Sequence, residues 1–211
     1  MDVVALADKF CIRSGSPFSI VFVAACYLVW IAAIFWGHIY LFQYEAMPSF
    51  AGTIRRVWPS DSQLSLVGGS PNMVMFVHPD CPAATASVTQ LQQLMERSRS
   101  KICANVVVEL GEASESAWMR SSLHKALVSA KSLKFIQDFE GHECALFGPT
   151  HSGQLLIYDG RGVLRFSGGI IQQGGKHHFN RNAERARYVL TTAHPEYVET
   201  SNFGTLLRNL L

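Results

Sequence analysis

The chain has almost no excess of charge of either sign. Its 211 residues include 18 Lys and Arg against 16 Asp and Glu, which gives a formal net charge of +2. No basic run and no interleaving of basic with aromatic residues occurs along it. Because nucleic-acid binding depends on clustered cations that neutralise phosphates, the sequence argues against nucleic acid as a partner.

Cysteine is scarce as well, with five residues in the whole chain. Cys11 and Cys26 belong to an apolar N-terminal region, so an odd set remains for the rest: Cys81, Cys103 and Cys144. That number does not suggest a disulfide framework. No Cys-x-x-Cys pair and no His-x-x-x-His spacing is present, so neither a metal site nor any other cofactor is expected.

Charge is absent from residues 18–42, which form one long apolar run. The run is long enough to cross a bilayer as a helix and too long for a signal peptide, and residues 40–44 offer no small-residue cleavage site. We therefore expect an uncleaved transmembrane helix. The predicted organisation is a short interfacial segment at 1–17, the transmembrane helix at 18–44, a linker at 45–71 and a globular domain at 72–211.

Basic residues flank this run almost equally, with Lys9 and Arg13 before it and Arg55 and Arg56 after it. The second pair lies further from the lipid, which slightly favours a cytoplasmic N-terminus and a domain on the outer face. The bilayer is thus one expected partner. Small residues within the run are suited to packing against a helix of another membrane protein, which is the second expected partner.

Hydrophobic periodicity organises the rest of the chain. Apolar runs predict strands at 73–77, 106–108, 154–158 and 163–167, and helical spacing predicts helices at 82–98, 114–131, 182–194 and 202–211. The order β-α-β-α-β-β-α predicts an α/β domain with a mixed sheet and helices on both faces.

Cys81 stands at the most informative position of this pattern. It follows the first strand of the domain after a short polar turn, and Pro82 marks the start of a helix. The free N–H groups and the dipole of a helix start stabilise a thiolate, so Cys81 is a candidate nucleophile. Ala83 and Ala84 occupy the positions where a second cysteine would form a redox pair.

Three motifs carry a resemblance to a known family. They are Met75-Phe76-Val77-His78-Pro79-Asp80-Cys81-Pro82, Gly141-His142-Glu143-Cys144-Ala145-Leu146-Phe147-Gly148, and Ser152-Gly153-Gln154-Leu155-Leu156-Ile157-Tyr158-Asp159 running on to Ile170. With these the chain resembles membrane-anchored, thioredoxin-like bacterial proteins of the RedB type. The resemblance covers most of residues 72–180 and implies a thioredoxin-like fold, with a thiol site formed around His78, Pro79, Pro82, His151 and Ser152.

The departures from the family pattern bear on chemistry. Ala83 replaces the expected second cysteine, His151 replaces a threonine, and the family's polar loop after Ile170 differs here. The scaffold is kept while the surroundings of the thiol have changed, which makes the site look redox-degenerate.

Alternatives remain open at two sets of residues. Cys144 is a weak candidate for resolving a disulfide on Cys81, against the simpler interpretation of a buried core cysteine. His78, Cys81, His177 and His178 are weak candidates for a metal site, against a turn-packing histidine and two solvated ones.

Two functions follow from the sequence. The first is an accessory or assembly subunit of a membrane-bound complex, such as an electron-transfer complex, on the outer (periplasmic) face of a bacterial inner membrane. The alternative is a thiol–disulfide oxidoreductase, or a thiol-dependent assembly factor, that uses Cys81 alone.

Overall fold

The computed structural model describes residues 17–45, 54–98, 102–110, 115–171, 181–202 and 204–207. The chain divides into two compact units, Met1–Met47 and Pro48–Leu211. The predicted interfacial segment lies outside the described residues, except for its last position.

The N-terminal unit contains helix α1 (Pro17–Glu45). Large apolar side chains along it are open to the surroundings, and Trp36 is 77% exposed. In the described parts of the chain, however, no helix is long and apolar enough to cross a membrane, so the predicted transmembrane helix is not confirmed.

The second unit is built on one mixed sheet. Within the described ranges it has six strands in the order β3-β2-β1-β4-β5-β6. The pairs β1–β2, β2–β3 and β5–β6 are parallel, whereas β4 runs antiparallel to both β1 and β5. The strands are β1 (Asn72–Val77), β2 (Cys103–Glu109), β3 (Lys134–Asp138), β4 (Gln154–Tyr158), β5 (Leu164–Gly169) and β6 (Val198–Glu199).

Helices cover both faces of this sheet, because alternate strand residues are apolar on each side. One core receives Met73 and Met75 of β1, and the other receives Val74 and Phe76. The helices are α2 (Ala84–Arg97), α3 (Glu115–Arg120), α4 (Ser122–Ser129), α5 (His142–Phe147) and α6 (Arg181–Thr191). Residues of α2, α3, α4 and α6 fill the first core, and those of α5 fill the second. The predicted mixed α/β sheet with helices on both faces is confirmed.

The predicted helix at 114–131 is two helices. Ser121 is extended, with φ −64° and ψ 154°, and its hydroxyl accepts a hydrogen bond from the His124 N–H. This is an N-cap, so the backbone leaves the helical conformation for one residue and α4 starts anew.

Two elements between β2 and β4 were not predicted. β3 is only partly buried and carries polar residues, so it lacks a clear alternation. α5 is a short helix between Gly141 and Gly148, both with positive φ, at 66° and 75°. Paired glycines at this spacing were the available signal, because glycine adopts this conformation without strain.

The predicted helix at 202–211 is wrong for the residues that can be compared. Residues 204–207 are extended, and Leu206 pairs with His151 in an antiparallel bridge. The Leu206–Leu207 pair suggested a helix face. Pairing with another segment satisfies this backbone instead of a helical turn.

Residues 54–71, which were predicted to be part of a linker, pack against the second core. The Trp58 ring meets Phe147 and Tyr158 edge-on at centroid distances of 5.1 and 5.2 Å. The buried Glu143 carboxylate accepts from the Ser62 hydroxyl at 2.6 Å and from the Gln63 N–H at 2.8 Å. One carboxylate of α5 thus fixes this segment to the domain.

Replacing Glu143 should therefore destabilise the fold. Glu143→Ala leaves two donors without their acceptor, and we expect a loss of about 1–3 kcal/mol in the free energy of unfolding. Urea denaturation followed by tryptophan fluorescence measures it. Glu140→Ala is the matched control, since Glu140 is exposed on the same segment and should cost less than about 0.5 kcal/mol. Equal losses from both variants would contradict this account of Glu143.

Candidate active site

Cys81 lies where the chain turns from β1 into α2. The Cys81 N–H donates to the His78 carbonyl at 3.1 Å, and the Ala84 N–H donates to the Cys81 carbonyl at 3.0 Å. These bonds close the turn and start the helix. The side chain points inward and is only 6% exposed.

Several donors converge on the Cys81 thiol. Burial raises its pKa, but hydrogen bonds from the Ser152 hydroxyl, from the backbone and hydroxyl of Thr205 and from the Ala83 backbone lower it. The hydrogen bonds outweigh burial, and the pKa lies below the ordinary value of 9.0. Donors that favour the charged form are what a thiolate nucleophile requires.

Ser152 is held in place from several directions. Its hydroxyl oxygen accepts from the His78 N–H at 3.0 Å, which leaves the hydroxyl proton free for the thiol. Its own N–H donates to the Thr205 carbonyl at 2.8 Å. The next N–H, that of Gly153, donates to the Phe76 carbonyl at 2.7 Å, so β1 and β4 together fix the distance between Ser152 and Cys81.

The three residues predicted beside Cys81 surround the turn in different ways. His78 is 4% exposed, and its Nδ1 accepts from the Asp80 N–H at 3.2 Å, so the ring braces the turn. Pro79 is half-buried and Pro82 is exposed. Of this group, His78 thus acts on the site through its backbone N–H to Ser152.

His151 directly precedes Ser152 in the chain. It is buried, its Nδ1 is 2.8 Å from the Thr150 hydroxyl, and burial lowers the pKa of its imidazole. It also lines a cavity of about 290 Å³ at the same end of the sheet. The other polar groups of this cavity include Gln154, Ser167, Arg185 and Glu199. His151 thus precedes Ser152 in the chain and lines the polar cavity.

The structure does not bring the other cysteines to Cys81. Cys144 is 3% exposed in the second core, whereas Cys81 belongs to the first core across the sheet. Burial and the nearby carboxylates of Glu109 and Asp138 raise the pKa of Cys144 far above its ordinary value. Cys103 pairs with Asn72 at the opposite end of β1. The four cysteines in the described part of the chain are free thiols.

The candidate metal residues are not assembled either. Among the described residues, no group of three His, Cys, Asp or Glu side chains could hold a metal ion. His78 Nδ1 is occupied by the turn, and Cys81 is surrounded by donors instead of ligands. His177 and His178 lie outside the described residues.

Thr205 is the site residue that sequence reasoning missed. It is more than 120 positions from Cys81 in the chain, and the expected helix at 202–211 concealed it. The available signal was Gly204, directly before Thr205 and the pair Leu206–Leu207. A glycine there permits a close approach to another backbone, which an extended segment needs.

Comparison with known proteins gives likeness in fold alone. No protein-family model and no curated protein matches the chain. A hypothetical protein from Sinorhizobium meliloti has a TM-score of 0.51 at 12% identity, over 75% of this chain and 96% of that one. An uncharacterised conserved protein from Geobacillus kaustophilus has a TM-score of 0.52 at 11% identity, over 74% and 90%. StoA of Bacillus subtilis is more distant, with a TM-score of 0.43 at 11% identity over 68% and 98%.

The hydrogen bonds to Cys81 predict its pH profile. Its alkylation rate should rise with a midpoint below pH 9.0, and Ser152→Ala should move the midpoint upward because one donor to the thiolate is lost. Mass spectrometry of the Cys81 peptide follows the reaction apart from the other thiols. Ser87→Ala is the control, since Ser87 is a buried hydroxyl of α2 that bonds the Ala83 carbonyl. An unchanged midpoint in Ser152→Ala would refute the assignment.

Proposed function

We propose that this protein acts through Cys81 as a single thiolate that forms mixed disulfides with a partner protein. The convergence of Ser152, Thr205 and Ala83 donors on the thiol carries this proposal. Loss of the second cysteine removes the exchange cycle, but the surroundings that stabilise a thiolate remain. The geometry thus favours the single-cysteine alternative over a domain with no chemistry.

The reaction is one half of thiol–disulfide exchange. The Cys81 thiolate attacks one sulfur of a partner disulfide, an S–S bond forms between them, and the partner's own S–S bond breaks. The second partner sulfur leaves as a thiolate and takes a proton from solvent. The free Cys81 thiol is regenerated when an external thiol attacks the mixed disulfide. The co-reactant is therefore a thiol of the partner or of the medium.

The mixed disulfide should persist, because Cys103 and Cys144 lie at the far end and the far face of the sheet. Incubation of the full chain with oxidised glutathione should give a stable adduct on Cys81. Ala83→Cys should shorten its lifetime by about tenfold or more, because a neighbouring thiol acts at millimolar effective concentration. Intact-protein mass spectrometry after acid quenching measures the adduct.

The control for this experiment is Ala86→Cys, which adds a cysteine on an exposed position of the same helix. It should leave the adduct lifetime as in the native chain. If the native protein forms no adduct on Cys81, or forms one that decays as fast as in Ala83→Cys, the single-thiolate function is wrong.

We further infer that α1 anchors the domain to a bacterial inner membrane with the domain on the outer face, as in RedB-type proteins. Residues 18–42 contain no charged side chain, and Val21, Phe22 and Trp30 are each more than 60% exposed on α1. Exposed apolar side chains on one helix require a lipid or protein surface. The motifs around Cys81 and at 152–170 support the family relation.

Membrane anchoring predicts resistance to extraction. The full chain should stay in the membrane pellet after carbonate washing. The double variant Leu28→Arg and Ile31→Arg should move to the supernatant, because each arginine at the centre of a membrane helix costs about 2.5–3.5 kcal/mol. The conservative pair Leu28→Ile and Ile31→Leu is the control. Recovery of the native chain in the supernatant would end the membrane proposal.

The second candidate function is the accessory or assembly subunit of a membrane-bound complex. The exposed apolar surface of α1 favours it, because such a surface also suits a partner helix. Purification in mild detergent separates the two functions. An accessory subunit would carry its partners with it equally well in the Cys81→Ser variant, whereas a thiol-dependent factor would lose a disulfide-linked partner.

A further inference from the structure

An extended segment near the end of the chain, residues 204–207, pairs with residues 150–152 beside Cys81. We call it the C-terminal strap. The Ser152 N–H donates to the Thr205 carbonyl at 2.8 Å, and the Leu207 N–H donates to the Thr150 carbonyl at 3.0 Å. His151 and Leu206 face each other between these bonds as an antiparallel bridge. The strap therefore occupies a backbone edge at the thiol site.

Two residues hold the strap in place. Leu207 is 2% exposed and belongs to the second core, so it is the apolar anchor. Gly204 lies so close to Ser152 that a Cβ at this position would overlap the Ser152 carbonyl oxygen. Leu206, by contrast, is 61% exposed. The strap is thus held by the burial of Leu207 and by the close contact of the Gly204 backbone with the Ser152 backbone.

The same strap reaches the reactive sulfur. Thr205, between Gly204 and Leu206, lies within hydrogen-bonding reach of the Cys81 thiol, and both its backbone and its hydroxyl lower the pKa of that thiol. The thiol is 6% exposed in this arrangement. A thiolate attacks along the S–S axis of its target, so a partner disulfide needs an open approach to Cys81. While the strap is in place, Thr205 lies against the sulfur atom that a partner disulfide would have to reach.

We propose that the C-terminal strap is a releasable cover that shields Cys81 until residues 204–207 leave the edge at 150–152. This rests on the proposed thiol function, because it concerns access to the same sulfur. In the covered state the sulfur is hydrogen-bonded and shielded. In the open state it is accessible, keeps the donors from Ser152 and Ala83 and has lost the two from Thr205. A partner would therefore meet a reactive thiol only after strap release.

Few contacts hold the strap, so it can detach while the rest of the domain stays folded. Among the described residues, two backbone hydrogen bonds join residues 204–207 to residues 150–152, Leu207 packs in the second core, and Thr205 reaches the Cys81 thiol. β1 and β4, in contrast, pair along their whole length. Segments with few buried contacts open locally at a lower free energy than the sheet they rest on.

Variants that unseat the strap test the proposal in the full chain. Leu207→Ala removes the anchor and Gly204→Ala places a methyl group against the Ser152 carbonyl. In both we expect the plateau rate of Cys81 alkylation by iodoacetamide at high pH to rise by about tenfold or more. The midpoint should also move to higher pH because the Thr205 donors are lost. Leu206→Ala, on the exposed neighbour, is the control and should match the native chain.

Hydrogen exchange tests the same point without any substitution. The Ser152 N–H bonds to the strap, whereas the Gly153 N–H bonds to Phe76 within the sheet. If the strap opens on its own, the amides of Ser152 and Leu207 exchange faster than that of Gly153, by about tenfold or more. Exchange of all three at one common rate would show that the strap opens only with the whole domain, which overturns the proposal.

The results separate this inference from the proposed function. If native Cys81 reacts as fast as in Leu207→Ala and Gly204→Ala, the strap does not cover the thiol, although the thiol function stands. If unseating accelerates alkylation but no variant forms a mixed disulfide with oxidised glutathione, the cover stands and the proposed function fails.

Discussion

The hydroxyl of Ser152 is the group on which the arrangement of the site depends. It accepts from the His78 N–H at 3.0 Å and donates to the Cys81 thiol, and so links the turn after β1 to the segment before β4. The bond of Gly153 to Phe76 fixes that segment to the sheet. The pairing of β1 with β4 therefore positions the Ser152 hydroxyl that lowers the pKa of the Cys81 thiol.

Burial and hydrogen bonding shift the pKa of the Cys81 thiol in opposite directions. Burial favours the neutral thiol, whereas the donors from Ser152, Thr205 and Ala83 favour the thiolate and outweigh it. The pKa of Cys144 is raised instead, because this thiol is buried and has carboxylates around it, which disfavour a thiolate. Two cysteines of one domain, both buried, thus have pKa values displaced in opposite directions.

The sign of the Cys81 shift also links the thiol to folding. Its folded pKa is lower than its unfolded pKa, so the native state releases the proton first as pH rises. The resulting stabilisation is complete above the unfolded value near 9 and is lost as pH falls through the folded value.

Much of the scaffold could be predicted from the sequence, because its signals are local. Continuous apolar strands predicted β1 and β4, and helical spacing predicted α2 and α6. β3 and the two-residue β6 gave no periodicity, and the N-cap at Ser121 was overlooked within a longer apolar pattern. The site was predicted only in part. Cys81 follows from a strand end and Ser152 from the family resemblance, whereas Thr205 reaches the thiol through long-range pairing that no local pattern records.

The most direct test of this account is the ionisation of Cys81 itself. Thiolate absorbance near 240 nm, measured against pH as the difference between the native chain and Cys81→Ser, isolates this one group. The account predicts a single transition with its midpoint below pH 9.0. A midpoint at or above that value would mean that burial outweighs the donors, and the proposed thiolate chemistry would be contradicted.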